Sequence, residues 1–276
     1  MIIDCHTHIG PVMEIDDRVW LTADGLVDWM NRQGIDKAVL LPLENPEACY
    51  GPFGTREALA EARRFAERIM VFASVDPRRP SAVKLLETAK LHGCVGFGEH
   101  KVGLAIDDPL SVELYRAAGE LGFAVLIHLD HLIVPTLNYD EVGLPRLEKL
   151  LKMLPKTNFI MHGPGWWAEI APKPATGVAY PPGPVAPGGA IDRLFSNYPN
   201  IFGDLSAGSG FNGLTRDPDF AAGFIERHWR RLLFGTDYLR PGQHCPIIEH
   251  LRKLDIPAEW KDAIYAKNLL ALLPAQ

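Results

Sequence analysis

The sequence predicts an α/β protein of the (β/α)8 type, a TIM barrel that forms a single domain over residues 1–276. Short apolar runs alternate with longer amphipathic stretches along the whole chain, and eight such units can be counted. Their repeat of roughly 30 residues fits parallel strands joined by right-handed helical crossovers. A chain of 276 residues that is 47% hydrophobic is also long enough to bury the core of such a barrel.

The predicted strands are short apolar runs, and the predicted helices begin at plausible caps or first-turn prolines such as Thr22 and Pro109. Several helices end near glycine or before proline, as at Gly34 and Pro155. The strands are predicted at residues 1–5, 37–41, 69–75, 95–99, 123–128, 158–162, 201–205 and 231–236. The helices are predicted at residues 22–33, 55–67, 81–91, 109–121, 144–154, 190–197, 218–228 and 246–254.

An open, doubly wound sheet is the alternative architecture. Against it, no G-x-G-x-x-G motif follows the first strand, and polar residues recur at the strand ends where a barrel collects its active site. The connections 42–54 and 163–189 are long and rich in Pro and Gly, and in a barrel both would lie over the catalytic face. We expect the second to be an insertion that forms a lid or pocket wall, with Trp166 at the substrate. An ordinary surface insertion, or an oligomer contact through Trp166, Trp167 and Tyr180, is the alternative.

Composition and charge narrow the class of partner. The formal net charge of -6 and the pI near 5.9 give no general attraction to phosphate backbones, which disfavours nucleic acid. The four cysteines are far apart and no signal peptide precedes the first strand, which favours a reduced, cytoplasmic setting. No apolar run reaches the roughly 18 residues that a membrane helix needs. The expected partner is therefore a small-molecule substrate; a homo-oligomer stays open.

Polar residues of metal-binding type stand where the predicted strands end. In a chain with 10 His, the first pair in DCHTH could arise by chance, but residues two apart on a strand share a face and can converge on one ion. Further candidates follow the fourth, fifth, sixth and eighth strands. The set comprises His6, His8, Glu99, Lys101, His128, His162 and Asp237.

Imidazole and carboxylate ligands together suit a divalent metal, with Zn²⁺ preferred and Fe²⁺, Mn²⁺ or Co²⁺ as alternatives. A single buried histidine is more often a structural hydrogen-bonding residue, so the prediction rests on the whole set. Asp4, two residues before His6, is expected behind the ligands, where its carboxylate accepts the free N–H of a ligating imidazole. A cap or a salt bridge is its alternative role.

Six motifs along the chain form one recognisable set: IDCHTH, GFGEH, VLIHLD, FIMHG and LFGTDY, closing with AKNLLALL. This set resembles the amidohydrolase superfamily, and specifically its amidohydrolase-related branch of compact (β/α)8 metalloenzymes. The resemblance extends from Met1 to about Leu273. It implies that His6, His8 and Asp237 bind a first ion. His128 and His162 then either bind a second ion, or His128 ligates a single ion while His162 polarises the substrate or moves a proton.

The number of ions depends on Glu99. GFGEH resembles the bridging glutamate of the superfamily's metal-dependent deoxyribonucleases, which favours Glu99 as a ligand. The alternative is that Glu99 only hydrogen-bonds a ligating histidine. Lys101, two residues further on, would have to be carboxylated to bridge two ions. One or two ions are therefore expected.

The resemblance implies hydrolysis of an ester, lactone or amide bond in a small molecule by a metal-activated water. Asp237 would accept a proton from that water and deliver it to the leaving group. His162 or Lys101 could stabilise the developing oxyanion, and Arg240 could bind a substrate carboxylate or anchor its own loop.

Three other functions stay open at this point. A non-oxidative decarboxylase of an aromatic or muconate-type acid is the nearest, because the same branch contains such enzymes. A metal-dependent nuclease is weakened by the negative charge. A non-catalytic barrel with a structural metal would have a closed coordination shell.

Overall fold

A computed structural model describes residues 1–12, 20–49, 51–130, 137–174 and 177–274. Within these residues, one sheet of parallel strands runs in sequence order from β1 to β8. The strands are β1 Ile3–Thr7, β2 Lys37–Leu40, β3 Ile69–Ala73, β4 Gly96–His100, β5 Ala124–His128, β6 Phe159–His162, β7 Ile201–Asp204 and β8 Leu232–Leu233. All eight fall within or next to the predicted positions.

Backbone hydrogen bonds join the first strand to the last and bring the sheet close to a full barrel. Cys5 N donates to Phe234 O, and Asp237 N donates to His6 O, each over 2.9 Å. Thr7 also pairs with Tyr238 in a parallel bridge. The predicted (β/α)8 fold is confirmed, and the doubly wound alternative is wrong because such a sheet stays open.

Helices follow the strands and cover the outside of the barrel. α1 begins after Thr22, whose hydroxyl accepts a hydrogen bond from Gly25 N, and ends at Gly34 in the left-handed conformation. The helices are α1 Ala23–Gln33, α2 Thr55–Ala62, α3 Ala82–Leu91, α4 Pro109–Glu120, α5 Pro145–Met153, α6 Pro164–Trp167, α7 Ala190–Asn197, α8 Ala207–Thr215, α9 Pro218–His228, α10 Pro246–Lys253, α11 Ala258–Asp262 and α12 Asn268–Leu270. None within the described residues is long and apolar enough to cross a membrane.

Helix α8 was not predicted, because its sequence AGSGFNGLT contains three glycines that disfavour helices. Tertiary packing explains these residues. A Cβ on Gly210 would lie 2.3 Å from Leu205 O, and a Cβ on Gly213 would lie 2.8 Å from the Trp167 ring. The glycines let α8 approach the barrel closely, and this contact outweighs their low helix propensity. Helices α6, α11 and α12 were also missed.

Alternate strand residues form a separate apolar cluster that includes Leu126, Ile160 and Phe202. His128, His162 and Asp204 follow these residues by two positions on the same strands. Because side chains two apart share a face, the cluster lies inside the barrel directly below the polar strand ends. The apolar interior is therefore the floor of the candidate site.

Candidate metal centre

The structure brings together at one end of the barrel the side chains that the sequence analysis proposed as metal ligands. They come from β1 or the residue just after it, from β4, β5 and β6, and from the segment after β8. These residues are His6, His8, Glu99, His128, His162 and Asp237. All except Asp237 are buried, and the Asp237 side chain is 19% exposed.

The first group consists of His6, His8 and Asp237. The Nε2 atoms of the two histidines lie 3.0 Å apart, and Asp237 Oδ1 lies 3.5 Å from His6 Nε2 and 3.3 Å from His8 Nε2. Ligands at about 2.1 Å from a tetrahedral ion are about 3.4 Å from one another. The three donor atoms therefore have the spacing of ligands to one ion.

Glu99 adds a fourth donor to this group. Its Oε2 lies 3.8 Å from His6 Nε2 and 3.5 Å from His8 Nε2, and Lys101 Nζ is 3.7 Å away. This oxygen is buried and has no hydrogen-bond partner among the described residues. A buried carboxylate oxygen without a donor is costly. A divalent cation between these atoms would satisfy it, so the residues fit a metal.

The other oxygen of Glu99 faces a different pair of histidines. Oε1 lies 2.8 Å from His128 Nδ1 and 3.8 Å from His162 Nε2. The two oxygens of one carboxylate thus face two separate sets of imidazole nitrogens. This is the arrangement that a carboxylate bridging two ions requires. Oε1 is also within hydrogen-bond distance of His128 Nδ1.

The ionisation of Glu99, Asp237 and His128 suits metal binding. Burial raises the pKa of Glu99, but the Lys101 charge and the His128 hydrogen bond leave it well below its usual range. Burial also raises the Asp237 pKa, yet the charges of His6 and His8 and a hydrogen bond from His8 hold it at about 2. Burial, together with the Lys101 charge, lowers the pKa of His128 to about 4. At neutral pH the carboxyl groups are ionised and His128 is neutral, which are their metal-ligating forms.

The residues of FGTD that precede Asp237 fix its position through close packing at Gly235 and two hydrogen bonds from Thr236. A Cβ on Gly235 would lie 2.4 Å from Asp204 Oδ1, so only glycine leaves room for that carboxylate. Thr236 binds Asp4 through both its backbone N and its hydroxyl. Asp237 has a φ of 56°, a left-handed conformation that aspartate tolerates better than most residues.

The predicted role of Asp4 is wrong. Asp4 Oδ1 accepts hydrogen bonds from the backbone N of His6 and Thr236, and Oδ2 accepts one from the Thr236 hydroxyl over 2.6 Å. Burial raises its pKa to about 8 in spite of these bonds. The reason for the error is that β1 shifts register between Asp4 and Thr7, so strict alternation of faces does not hold there.

The acceptor behind His6 is Asp204, at the end of β7, which the sequence analysis missed. Asp204 Oδ2 lies 2.6 Å from His6 Nδ1. Ser206 Oγ lies 2.8 Å from the same oxygen and 2.9 Å from His162 Nδ1. The rule that selected Asp237, a carboxylate at a strand end, also applied to Asp204 and could have found it. His8 Nδ1 has a backbone partner instead, Leu41 O at 2.8 Å.

Lys101 and Arg240 were predicted to contact substrate, and the structure places their side chains in different surroundings. The Lys101 side chain is 19% exposed and faces the centre through Glu99. Arg240 is exposed three residues after Asp237, and its guanidinium has no hydrogen-bond partner within the described part of the chain. Neither substrate role is tested by this geometry, and both stay predictions.

Trp166 packs inwards and presents no exposed surface to a substrate in the described part of the chain, contrary to the prediction. It is fully buried and its ring lies 5.7 Å from that of Phe195 on α7. Trp167 is also buried, and its Nε1 donates to Asp204 O over 2.8 Å. The aromatic residues of GPGWW therefore fix α6 against the barrel. Residues 175–176 of the insertion, and His131, three residues after His128 in the sequence, lie outside the described residues.

Solved structures similar to this chain share its fold at low sequence identity. A probable 2-pyrone-4,6-dicarboxylic acid hydrolase of Acinetobacter baumannii, with citric acid bound, is 16% identical with a TM-score of 0.60 and 98% of each chain covered. A 2,6-dihydroxybenzoate decarboxylase from Rhizobium is 18% identical with a TM-score of 0.57 and 98% of each chain covered. A dihydroxybenzoic acid decarboxylase of Polaromonas sp. JS666, with bound manganese and the inhibitor 2-nitroresorcinol, is 15% identical with a TM-score of 0.58, covering 98% of this chain and 96% of the other.

The sequence itself identifies the family. No curated protein matches the chain. Residues 3–274, however, match the sequence profile of a family described as Amidohydrolase, which is almost the whole length. The eight-stranded barrel and the cluster of histidines and carboxylates at its strand ends agree with this match. The chain belongs to the amidohydrolase family.

Proposed function

We propose that this protein is a metal-dependent hydrolase that cleaves an ester, lactone or amide bond of a small molecule. The observation that supports hydrolysis most directly is the position of Glu99, whose two oxygens face different pairs of histidines. This placement favours two ions over one. Zn²⁺ is the proposed metal because the donors are imidazole nitrogens and carboxylate oxygens at tetrahedral spacing.

A divalent metal bound here would lower the pKa of water towards neutrality and polarise a substrate carbonyl. The chain's own residues supply the proton transfers. Asp237 is ionised and is the one partly exposed carboxylate of the ligand set, so it is placed to accept a proton and return it to the leaving group. Lys101 contributes a positive charge beside the centre for a developing oxyanion.

Decarboxylation is the second candidate. It is supported by the fold shared with dihydroxybenzoate decarboxylases, one of them with bound manganese. Under this proposal Lys101 and Arg240 would hold the carboxylate of an aromatic or muconate-type acid, and a single ion would suffice. Glu99 would then hydrogen-bond His128 without binding metal.

The setting of the reaction is also part of the proposal. We infer a small-molecule substrate and a reducing cytoplasmic compartment, the latter supported by four cysteines that form no disulfide. Neither nucleic acid nor a membrane is proposed as a partner.

Replacing Asp237 by asparagine tests the proton-transfer step. Asp237→Asn keeps the size of the side chain but removes its basic oxygen, so kcat should fall by at least about 10²-fold. The measurement is steady-state hydrolysis of a panel of lactones, esters and amides, beside CO2 release from aromatic and muconate acids. Asp192→Asn, which alters a carboxylate on α7 outside the centre, is the control and should keep full activity.

Two outcomes would contradict the proposal. Near-normal turnover by Asp237→Asn would end the assignment of Asp237 as proton carrier. CO2 release with no hydrolysis of any member of the panel would replace the hydrolase by the decarboxylase.

A further inference from the structure

We propose that Asp204 and Ser206 fix the tautomers of His6 and His162, so that both rings present an unprotonated Nε2 to the metal centre. The proposal rests on the metal-dependent function above. It assigns positioning roles to two residues at the end of β7 and just after it, neither of which contacts the ion itself. A single carboxylate would thereby orient imidazoles from two different strands.

The first step concerns His6. Asp204 Oδ2 lies 2.6 Å from His6 Nδ1, and Asp204 Oδ1 accepts a hydrogen bond from Ser206 N over 2.9 Å. A carboxylate offers only acceptors, so the ring nitrogen that faces it has to carry the proton. The Nε2 of His6 then has a free lone pair, and this atom points to His8, Glu99 and Asp237.

The second step concerns His162. The Ser206 hydroxyl has one hydrogen, which it donates to Asp204 Oδ2 over 2.8 Å. Its lone pairs are left to face His162 Nδ1 at 2.9 Å. The His162 Nδ1 must therefore be the donor. In the neutral ring its Nε2, 3.8 Å from Glu99 Oε1, is then unprotonated.

The surroundings hold this arrangement and exclude competing water. Asp204 and Ser206 are both 0% exposed, and Trp167 Nε1 donates to the Asp204 carbonyl. Ser206 stands at the N-cap of α8, yet its side chain makes no capping hydrogen bond. A serine at this position normally caps its helix. Here its hydroxyl is committed to Asp204 and His162 instead.

The tautomers can be read directly from the metal-free protein by ¹⁵N NMR of histidine side chains, at a pH high enough for the rings to be neutral. We expect His6 and His162 to be protonated at Nδ1. Ser206→Ala removes the 2.9 Å partner of His162 Nδ1 and leaves it Asp204 Oδ2 at 3.3 Å, so the share of the His162 tautomer protonated at Nε2 should rise. His6 loses only a 3.3 Å contact and keeps Asp204 Oδ2 at 2.6 Å, so its change should be smaller. Ser209→Ala is the matched control, because Ser209 is also buried but its hydroxyl has no hydrogen-bond partner among the described residues. Protonation of His162 at Nε2 in the unaltered protein, or an unchanged His162 spectrum in Ser206→Ala, would overturn the proposal.

Metal affinity provides a second readout. Asp204→Asn can donate to His6 Nδ1 through its amide, so Zn²⁺ affinity measured against a chelating dye should fall by about 10- to 100-fold. Asp192→Asn, which changes a carboxylate paired with His228 away from the centre, should bind Zn²⁺ as the unaltered protein does. Unchanged affinity in Asp204→Asn would contradict the proposal.

Neither readout depends on substrate. If Asp204→Asn fails to fold, the tautomers of the unaltered protein still decide the question. Failure of the hydrolase assignment would appear in the Asp237→Asn assay and would leave these two measurements standing.

Discussion

Glu169 is a buried carboxyl group outside the metal centre, and its environment makes it sensitive to pH. It is 4% exposed, and its Oε1 accepts a hydrogen bond from Gly143 N over 3.0 Å. Burial raises its pKa to about 7, with the Asp140 carboxylate adding to the rise and Arg193 opposing it. The folded protein therefore keeps this proton at pH values where the unfolded chain, with a pKa near 4.5, has lost it.

Because the folded-state pKa is raised, the stability that Glu169 contributes below about pH 4.5 is lost as the pH rises through about 7. Glu169→Gln cannot ionise, and its amide oxygen can still accept from Gly143 N. We expect the free energy of unfolding of the variant, relative to that of the unaltered protein, to increase by on the order of 1–3 kcal/mol when the pH is raised from 5 to 8. Urea denaturation at both pH values measures this gap. Glu87→Gln, exposed on α3, is the control; a gap for Glu169→Gln that is equal at the two pH values would contradict the account.

At the scale of single residues, the proximity of the candidate ligands was predictable from the sequence, because each follows an apolar strand and belongs to a ligating type. His6, His8, Glu99, His128, His162 and Asp237 were selected in this way. Asp4 was misjudged because a register shift in β1 cannot be read from alternation alone. Trp166 was misjudged because an aromatic residue in a Gly- and Pro-rich connection can pack inwards as readily as it can face a pocket.

At the scale of elements, the C-terminal helical segment closes the barrel from below. Ala266, Leu269 and Leu272 join the apolar cluster of the barrel interior. Asn268, in the motif AKNLLALL, donates from Nδ2 to Trp229 O over 2.7 Å and to Leu232 O over 2.9 Å. The motif thus ties this segment to the start of β8.

Asn268→Ala removes the donor to both carbonyl groups and leaves them without this partner. We expect a loss of roughly 1–3 kcal/mol in the free energy of unfolding. The metal content should not change, because the segment lies away from the strand ends that hold the centre. Asn197→Ala, at the exposed end of α7, is the control. If Asn268→Ala is as stable as this control in urea denaturation, the proposed role of the motif is wrong.

Elements with strong periodicity were predictable, and those fixed by contacts distant in sequence were not. Helices α1, α4 and α9 have caps and apolar spacing that can be read locally. Helix α8 forms because glycines allow it to pack on Leu205 and Trp167, a property of the folded molecule. β8 is only Leu232–Leu233, shorter than the predicted 231–236, and the backbone leaves the extended conformation at Asp237, whose φ is 56°.

For the molecule as a whole, the order of strands around the barrel explains how residues from both ends of the chain form one centre. β1 and β8 are neighbours across the closure, which places His6 beside Asp237. β4, β5 and β6 are consecutive and bring Glu99, His128 and His162 together from the opposite side. Glu99 contacts both groups, so the central claim is that its carboxylate joins two metal sites.

Metal content tests this claim most directly. Protein purified without chelator should contain two ions per chain, and Glu99→Ala should contain one, because the variant loses the oxygens shared between the sites. Glu169→Gln, a buried carboxyl variant outside the centre, should retain two ions. The result predicted is a fall from two ions to one on loss of Glu99, whereas one ion per chain in both the unaltered protein and Glu99→Ala would contradict the account.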